Sequence, residues 1–191
     1  MIFCVMPKTQ EKVKPPSLFI MKFNKALHVR SAFSCGFKPI DNFLKSSISE
    51  QIKNNLVTAW VAVEDSSSKS PVKGFYALNA HSISQAELPN LTKKITKENI
   101  PAIYLNALAV DKSYQGRGVG TALMVHAIKK SVEFSEQIGC AVIVLDVLVD
   151  GDDEVFTRRV DFYQTLGFKN IKSSDYPHRM HLSIADAKVS I

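Results

Sequence analysis

Residues 105–121 read Leu-Asn-Ala-Leu-Ala-Val-Asp-Lys-Ser-Tyr-Gln-Gly-Arg-Gly-Val-Gly-Thr. The apolar run over residues 103–110 is a strand by its composition. A four-residue gap follows, and then the glycine-rich string Gln115 to Gly120. From about residue 118 to 137 the spacing of Val119, Leu123, Ala127 and Ile128 predicts a long helix. The start of a helix leaves backbone N–H groups without internal partners and carries partial positive charge. Glycines let such a backbone approach a ligand closely. Strand, glycine loop and helix in succession therefore form a cradle suited to a pyrophosphate. The string lacks the Gly-Lys-Ser/Thr ending of a nucleoside-triphosphate loop. It also lacks the third glycine of the G-x-G-x-x-G dinucleotide fingerprint.

Upstream, residues 1–16 are Lys-rich and end in Pro15-Pro16, the composition of a flexible basic tail, with residues 17–191 as the domain. Met21 could serve as an alternative start, since recognisable pattern begins just after it. Residues 17–23 read as a strand. Pro39 opens a helix over 39–54, with Ile40, Phe43, Leu44, Ile48 and Ile52 on one face. Strands over 57–64 and 72–83 flank the polar turn 65–70, and a polar connection covers 84–100. Downstream, 140–149 is apolar at nearly every position, as in a strand buried on both faces. A helix over 152–166 is closed by Gly167, and strands over 168–171 and 179–184 follow. The order is mixed α/β, an antiparallel front half with a β-α-β unit behind.

The 191 residues are 46% hydrophobic and 22% charged, with a net charge of +6. This is globular composition, and the basic balance suits an anionic cofactor and permits RNA as substrate. No apolar run approaches the ~20 residues that cross a bilayer, and the N-terminus lacks a secretory pattern. A cytoplasmic protein with no membrane association is expected. Cys4, Cys35 and Cys140 have neither metal-ligand nor redox-pair spacing, and the five histidines show no zinc spacing, so no metal is expected. Asp146 in its apolar strand is a candidate to orient or deprotonate an amine. Glu64, ending another strand, is a weaker one.

Gln115-x-x-Gly118-x-Gly120, after a strand ending Leu-Ala-Val, resembles the acetyl-CoA motif of the GNAT acetyltransferases. Phe162-Tyr163-x-x-x-Gly167-Phe168 resembles the ending of their domains. The resemblance implies a GNAT fold: a central mixed, mostly antiparallel sheet flanked by helices, with strands splayed at the cofactor site. It implies acetyl-CoA as cosubstrate, held by Gln115, Gly116, Arg117, Gly118, Val119, Gly120 and Thr121, with its pantetheine along the backbone of Leu108, Ala109 and Val110. It makes Tyr163 the general acid that protonates the leaving thiolate. A phenol of pKa ~10 arrives protonated at neutral pH.

Further upstream, His28-x-x-x-x-Phe33-x-Cys35-Gly36-x-x-x-x-Asp41-x-Phe43-Leu44 resembles the opening of GNAT toxins of toxin–antitoxin pairs, which acetylate the amino group of aminoacyl-tRNA. That likeness, spanning about residues 26–185, implies transfer of acetyl to a primary amine, with charged tRNA as the acceptor, a ribbon-helix-helix antitoxin as partner, and room for a homodimer. An α-amine of pKa ~8 needs no strong base, and none is obvious here. The alternatives are a small-molecule or protein amine without a toxin role, and a non-catalytic acetyl-CoA-binding module. Two departures stand out. Ala107 occupies the position where toxin members carry arginine. The acidic run Asp150-Gly-Asp-Asp-Glu154 would repel RNA if it faced the cleft.

Overall fold

The computed structural model describes residues 3–4, 17–88, 98–171, 173 and 175–190. The strands are β1 (Phe3–Cys4), β2 (Phe19–Lys22), β3 (His28–Val29), β4 (Thr58–Val63), β5 (Ser70–Pro71), β6 (Gly74–Ser84), β7 (Asn99–Val110), β8 (Val142–Asp146), β9 (Lys169–Asn170) and β10 (Arg179–Ser183). The helices are α1 (Lys38–Asn42), α2 (Ile48–Lys53), α3 (Val119–Ile138), α4 (Asp153–Thr165) and α5 (Ile184–Ser190). The fold is mixed α/β, with a sheet of order β2-β4-β6-β7-β8-β10-β9. β2–β4, β4–β6, β8–β10 and β9–β10 are antiparallel, and β7–β8 is parallel. Contacts divide the chain into two compact units, Met1–Leu78 with Asn106–His126, and Asn79–Leu105 with Ala127–Ile191. Of the basic tail, β1 is described and residues 5–16 lie outside the described residues, as do 89–97 of the polar connection.

In the first unit the alternation of β4 sorts its side chains. Ala59, Val61 and Val63 enter a cluster with Phe33, Ile40, Phe43, Leu44, Ile48, Phe75, Ala107 and Ala109. Each buried large apolar side chain contributes about 1.5–3 kcal/mol. The expected helix over 39–54 is present, but as α1 and α2 joined by a π-helical turn, Phe43–Ser47. Ala107 has a physical reason to be small, since it is 1% exposed within this cluster. An arginine there would bring a charge among phenylalanines. On the other face Trp60 stacks on Tyr76, ring centroids 5.1 Å apart. The Tyr76 hydroxyl lies 2.6 Å from His126 Nδ1, joining β6 to α3. Gly74 allows this approach. A Cβ there would fall 2.7 Å from Leu123 Cδ1 and 3.1 Å from the Ala109 carbonyl oxygen.

In the second unit Val142 to Leu145 of β8 are all buried. β8 pairs with β7 over Ala102–Tyr104 and with β10 along its whole length. The expected strand over 140–149 is shorter because the chain turns away after Asp146. Val147 N–H extends the pairing once more by donating to the His178 carbonyl, and the Leu148 carbonyl then accepts from Arg159 Nη1 at 3.0 Å instead of from the sheet. β7 begins earlier than expected, at Asn99, since Ile100 and Ala102 continue the alternation into the core. β9 is confined to Lys169–Asn170, and α5 is an unexpected helix, its start held by Ser183 Oγ, which accepts from Asp186 N–H at 2.9 Å. Asp152 caps α4 by accepting from Val155 N–H at 2.9 Å. The acidic run is largely consumed by such contacts. Asp150 pairs with the buried Arg159 at 2.7 Å and Glu154 with Arg158 at 2.8 Å.

Candidate functional site

In the first unit, β7 delivers the chain to the glycine loop. Asp111 N–H donates to the Lys73 carbonyl next to β6. Backbone polar groups alternate along a strand, so the N–H groups of Leu108 and Val110 face the opposite edge. On that edge β1 pairs in parallel, Phe3 opposite Leu108 and Cys4 opposite Ala109. Past Val110, Asp111 Oδ1 accepts from Ser113 N–H at 3.0 Å and starts a 3-10 turn, Lys112–Tyr114. Gly116 (φ 74°) and Gly118 (φ 78°) then adopt the left-handed conformation that favours glycine. Helix α3, twenty residues long, follows directly, and its first amides, those of Val119, Gly120 and Thr121, belong to the unpaired start of the helix. A Cβ built on Gly118 meets no atom within 4 Å, so the loop faces open space. A cavity of about 80 Å³ lies beside it, lined by Ile20, Ala62, Arg117, Gly118, Val119 and Ala122 among others.

The segment before α1 holds this loop from behind. Ser34 N–H donates to Asp111 Oδ2 (3.0 Å), and the Ser34 carbonyl accepts from Lys112 N–H (2.8 Å). Cys35 N–H donates to Asp41 Oδ1 (2.8 Å), and the Cys35 carbonyl accepts from Gln115 Nε2 (2.9 Å). The same Gln115 nitrogen donates to the Val110 carbonyl at 3.0 Å. Gly36, at φ 101°, lies so close that a Cβ would meet Lys112 Cε at 2.8 Å. Thus the side chain of Gln115 turns inward rather than toward the open face of the loop. Cys35 is buried and serves through its backbone. On the exposed side the Tyr114 ring is flanked by Lys73 Nζ at 4.6 Å and the Arg117 guanidinium at 5.3 Å. Glu64 accepts from the Tyr114 hydroxyl and pairs with Lys73 at 3.3 Å. The hydrogen bond from Tyr114, ahead of Lys73, lowers the Glu64 pKa, which makes it a weak base.

In the second unit, Tyr163 is fully buried near the end of α4. Gly167 (φ 89°) closes the helix. Its N–H donates to the Gln164 carbonyl and Phe168 N–H to the Tyr163 carbonyl. That is a Schellman closure, and its usual apolar contact is here Tyr163 on Phe168, centroids 5.9 Å apart. Separately, Asp146 accepts from Arg179 Nε (2.8 Å) and Nη2 (3.0 Å) and from the Tyr104 hydroxyl (2.8 Å). Burial pushes the Asp146 pKa up, but the hydrogen bonds from Arg179 and Tyr104 outweigh it and lower the pKa overall. Burial and the bond to Asp146 raise the Tyr104 pKa. Arg179 also lies 3.6 Å from the centroid of the Tyr176 ring. A carboxylate so occupied is a poor proton acceptor, so the idea of Asp146 as base finds no support. The Arg179 clamp and the Ser34–Gly36 bracket had no counterpart in the sequence reading.

Residues 55–170 match the family model described as an acetyltransferase (GNAT) domain. The chain belongs to the GNAT acetyltransferase family. It is 39% identical to a probable toxin TacT of Sinorhizobium fredii, over 83% of this chain and 86% of that one. It is 30% identical to a tRNA-acetylating toxin of Mycobacterium tuberculosis, over 84% and 89% of the two chains. This GNAT domain also shares its fold with solved toxin structures. A tyrosine-to-phenylalanine mutant of KacT superposes with a TM-score of 0.80 at 23% identity, covering 91% of this chain and 99% of that chain. AtaT complexed with acetyl-methionyl-tRNAfMet gives 0.79 at 24%, covering 91% and 98%. Among the described residues no helix of this GNAT chain is long and apolar enough to cross a membrane.

Proposed function

We propose that this protein transfers the acetyl group of acetyl-CoA to the α-amine of an aminoacyl-tRNA, and that it does so in the cytoplasm as the toxin of a toxin–antitoxin pair. The observation that carries the proposal is the open glycine loop at the start of α3, in a chain 30% identical to a tRNA-acetylating toxin over most of its length. The loop fits the cofactor on its own geometry. Two left-handed glycines and a helix start present backbone N–H groups to open space, with Arg117 alongside.

On this reading the amides of Gly116 to Thr121 hold the pyrophosphate, and the Leu108–Val110 edge carries the pantetheine. Bound there, acetyl-CoA supplies the activated thioester. The Val110 N–H is assigned to polarise the acetyl carbonyl, and Tyr163 to donate a proton to the departing sulfur. One strand edge serves one partner at a time, so Phe3–Cys4 yields that edge to the cofactor. Hydrogen exchange at these two residues should rise when acetyl-CoA is added. Unchanged exchange in a cofactor-saturated protein would remove Leu108–Val110 from the site.

The local pairing of Asp150 and Glu154 with arginines supports an RNA acceptor, since it removes much of the repulsion that the acidic run would impose. An AtaT structure contains the C-terminus of the antitoxin AtaR, which supports an antitoxin partner for this chain as well. Labelled acetyl-CoA should be incubated with total charged tRNA, with free amino acids and polyamines as parallel acceptors. Label should appear in acetyl-aminoacyl-tRNA. Label in polyamine or free amino acid alone would make this a small-amine enzyme.

A further inference from the structure

We infer that Gln115, although it opens the cofactor motif, acts as a positioning residue that ties the phosphate loop to the acyl end of the site. This rests on the acetyltransferase reading above. The Gln115 side-chain amide donates to two backbone carbonyls, Val110 at the end of β7 and Cys35 in the turn before α1. The Val110 carbonyl lies on the same edge as the Val110 N–H, because both groups of one residue point to one side of a strand. Fixing that carbonyl therefore fixes the amide assigned to the acetyl oxygen.

The second carbonyl belongs to a turn in which the backbone groups of Ser34 and Cys35 are all engaged. Ser34 uses both of its groups on Asp111 and Lys112, and Cys35 uses its own on Asp41 and Gln115. Asp41 also accepts from Ser34 Oγ at 3.1 Å. The chain from Asp41 through the turn to Gln115 and Val110 is continuous. A shift at one end of the loop is thereby transmitted to the other. The Phe33-x-Cys35-Gly36 and Asp41 elements of the toxin-type opening thus acquire a specific task. They set the loop from behind without touching the cofactor.

The test separates a donor to carbonyls from a donor to phosphate. Gln115→Met keeps the length of the side chain and removes the donor, and Gln115→Lys restores a donor. Hydrogen exchange is measured on the full-length chain without cofactor. The Met variant should exchange faster over residues 110–116 with a melting temperature lowered by only a few degrees, and the Lys variant should recover protection. Turnover is then measured with acetyl-CoA and with acetyl-pantetheine, which has no pyrophosphate. The Met variant should lose roughly tenfold in kcat/KM with both donors, as expected when the acyl-end amide is no longer held in place. Unchanged exchange without cofactor would overturn the inference, and so would a loss confined to acetyl-CoA, which would place the action of Gln115 at the phosphates. Absence of turnover in the unmodified chain would instead count against the acetyltransferase reading, and the exchange result would stand apart from it.

Discussion

The start of α3 and the end of α4 each carry a left-handed glycine, and the two glycines stand in opposite surroundings. At the start of α3, Gly118 faces nothing within 4 Å, and the first amides of the helix have no partner within it. At the end of α4, Gly167 has Leu182 Cδ1 3.4 Å from where its Cβ would be, and the helix carbonyls are taken by Gly167 and Phe168 themselves. Both glycines satisfy the same steric demand. What differs is whether the freed backbone groups are answered by the chain or kept open. A glycine motif therefore marks a site when its polar groups stay unanswered and its surroundings stay empty.

The largest expected effect tests the open end. Gly118→Leu should abolish acetyl-CoA binding by filling the approach to the loop, and the side chain at φ 78° should cost about 1–2 kcal/mol of stability, a loss small enough to leave the protein folded. Calorimetry that finds unchanged affinity would break the comparison at its root. The next concerns Tyr163, which the closed end explains as packing and the family motif explains as an acid. Tyr163→Phe keeps the ring on Phe168. If the hydroxyl is the acid, turnover should fall by roughly 10²–10⁴-fold with little change in acetyl-CoA affinity. Steady-state kinetics and a melting curve decide it, where chemistry limits the rate. Near-normal turnover with lowered stability would leave only the helix closure.

Gly167→Ala should share the stability cost of Gly118→Leu but not its loss of binding. A side chain at positive φ costs about 1–2 kcal/mol, so the melting temperature should drop and acetyl-CoA affinity should not. A change in affinity without a change in stability would show that the closed end also serves the ligand. The smallest effect is in acid. The hydrogen bond from Arg159 lowers the Asp150 pKa. A carboxylate depressed in the folded state contributes stability above its unfolded value of about 3.9, and that stability is lost as pH falls through the lower folded value. Asp150→Asn should therefore flatten the loss of melting temperature below about pH 4. An equally steep acid limb in the variant would mean that the pair does not hold the start of α4.

The elements legible in the sequence were those with long-range periodicity or a local steric signal. β4, β6, α3 and α4 carry repeating apolar positions, and the glycine loop and Gly167 carry backbone signals. Strand limits were less legible. β8 ends where Arg159, thirteen residues beyond Asp146, captures the Leu148 carbonyl, and no window around residue 146 contains that information. Helix α5 was missed although Ser183 and Asp186 stand at capping distance, because its seven residues are too short for a periodic signal. The bracket behind the loop was illegible for another reason. Ser34 and Cys35 are held by their backbone groups, with partners as many as 80 positions away, and a backbone donor or acceptor leaves no mark on residue type. Of those contacts, the sequence displayed Gly36 and Asp41, but as parts of a resemblance rather than as a brace.

Gly74 has a consequence for how this protein can change. α3 rests directly on the backbone of β6 there, with Leu123 where a side chain would stand. The spacing between helix and sheet is thus set by an omission. Even a single methyl group would press on the Leu123 side chain and crowd the Ala109 carbonyl, so the packing beneath the first turns of α3 would have to shift. Mutational drift that spares every residue facing the cofactor can still move the site through this position. A library diversified for new acceptors should hold Gly74 constant and vary what lies beyond it.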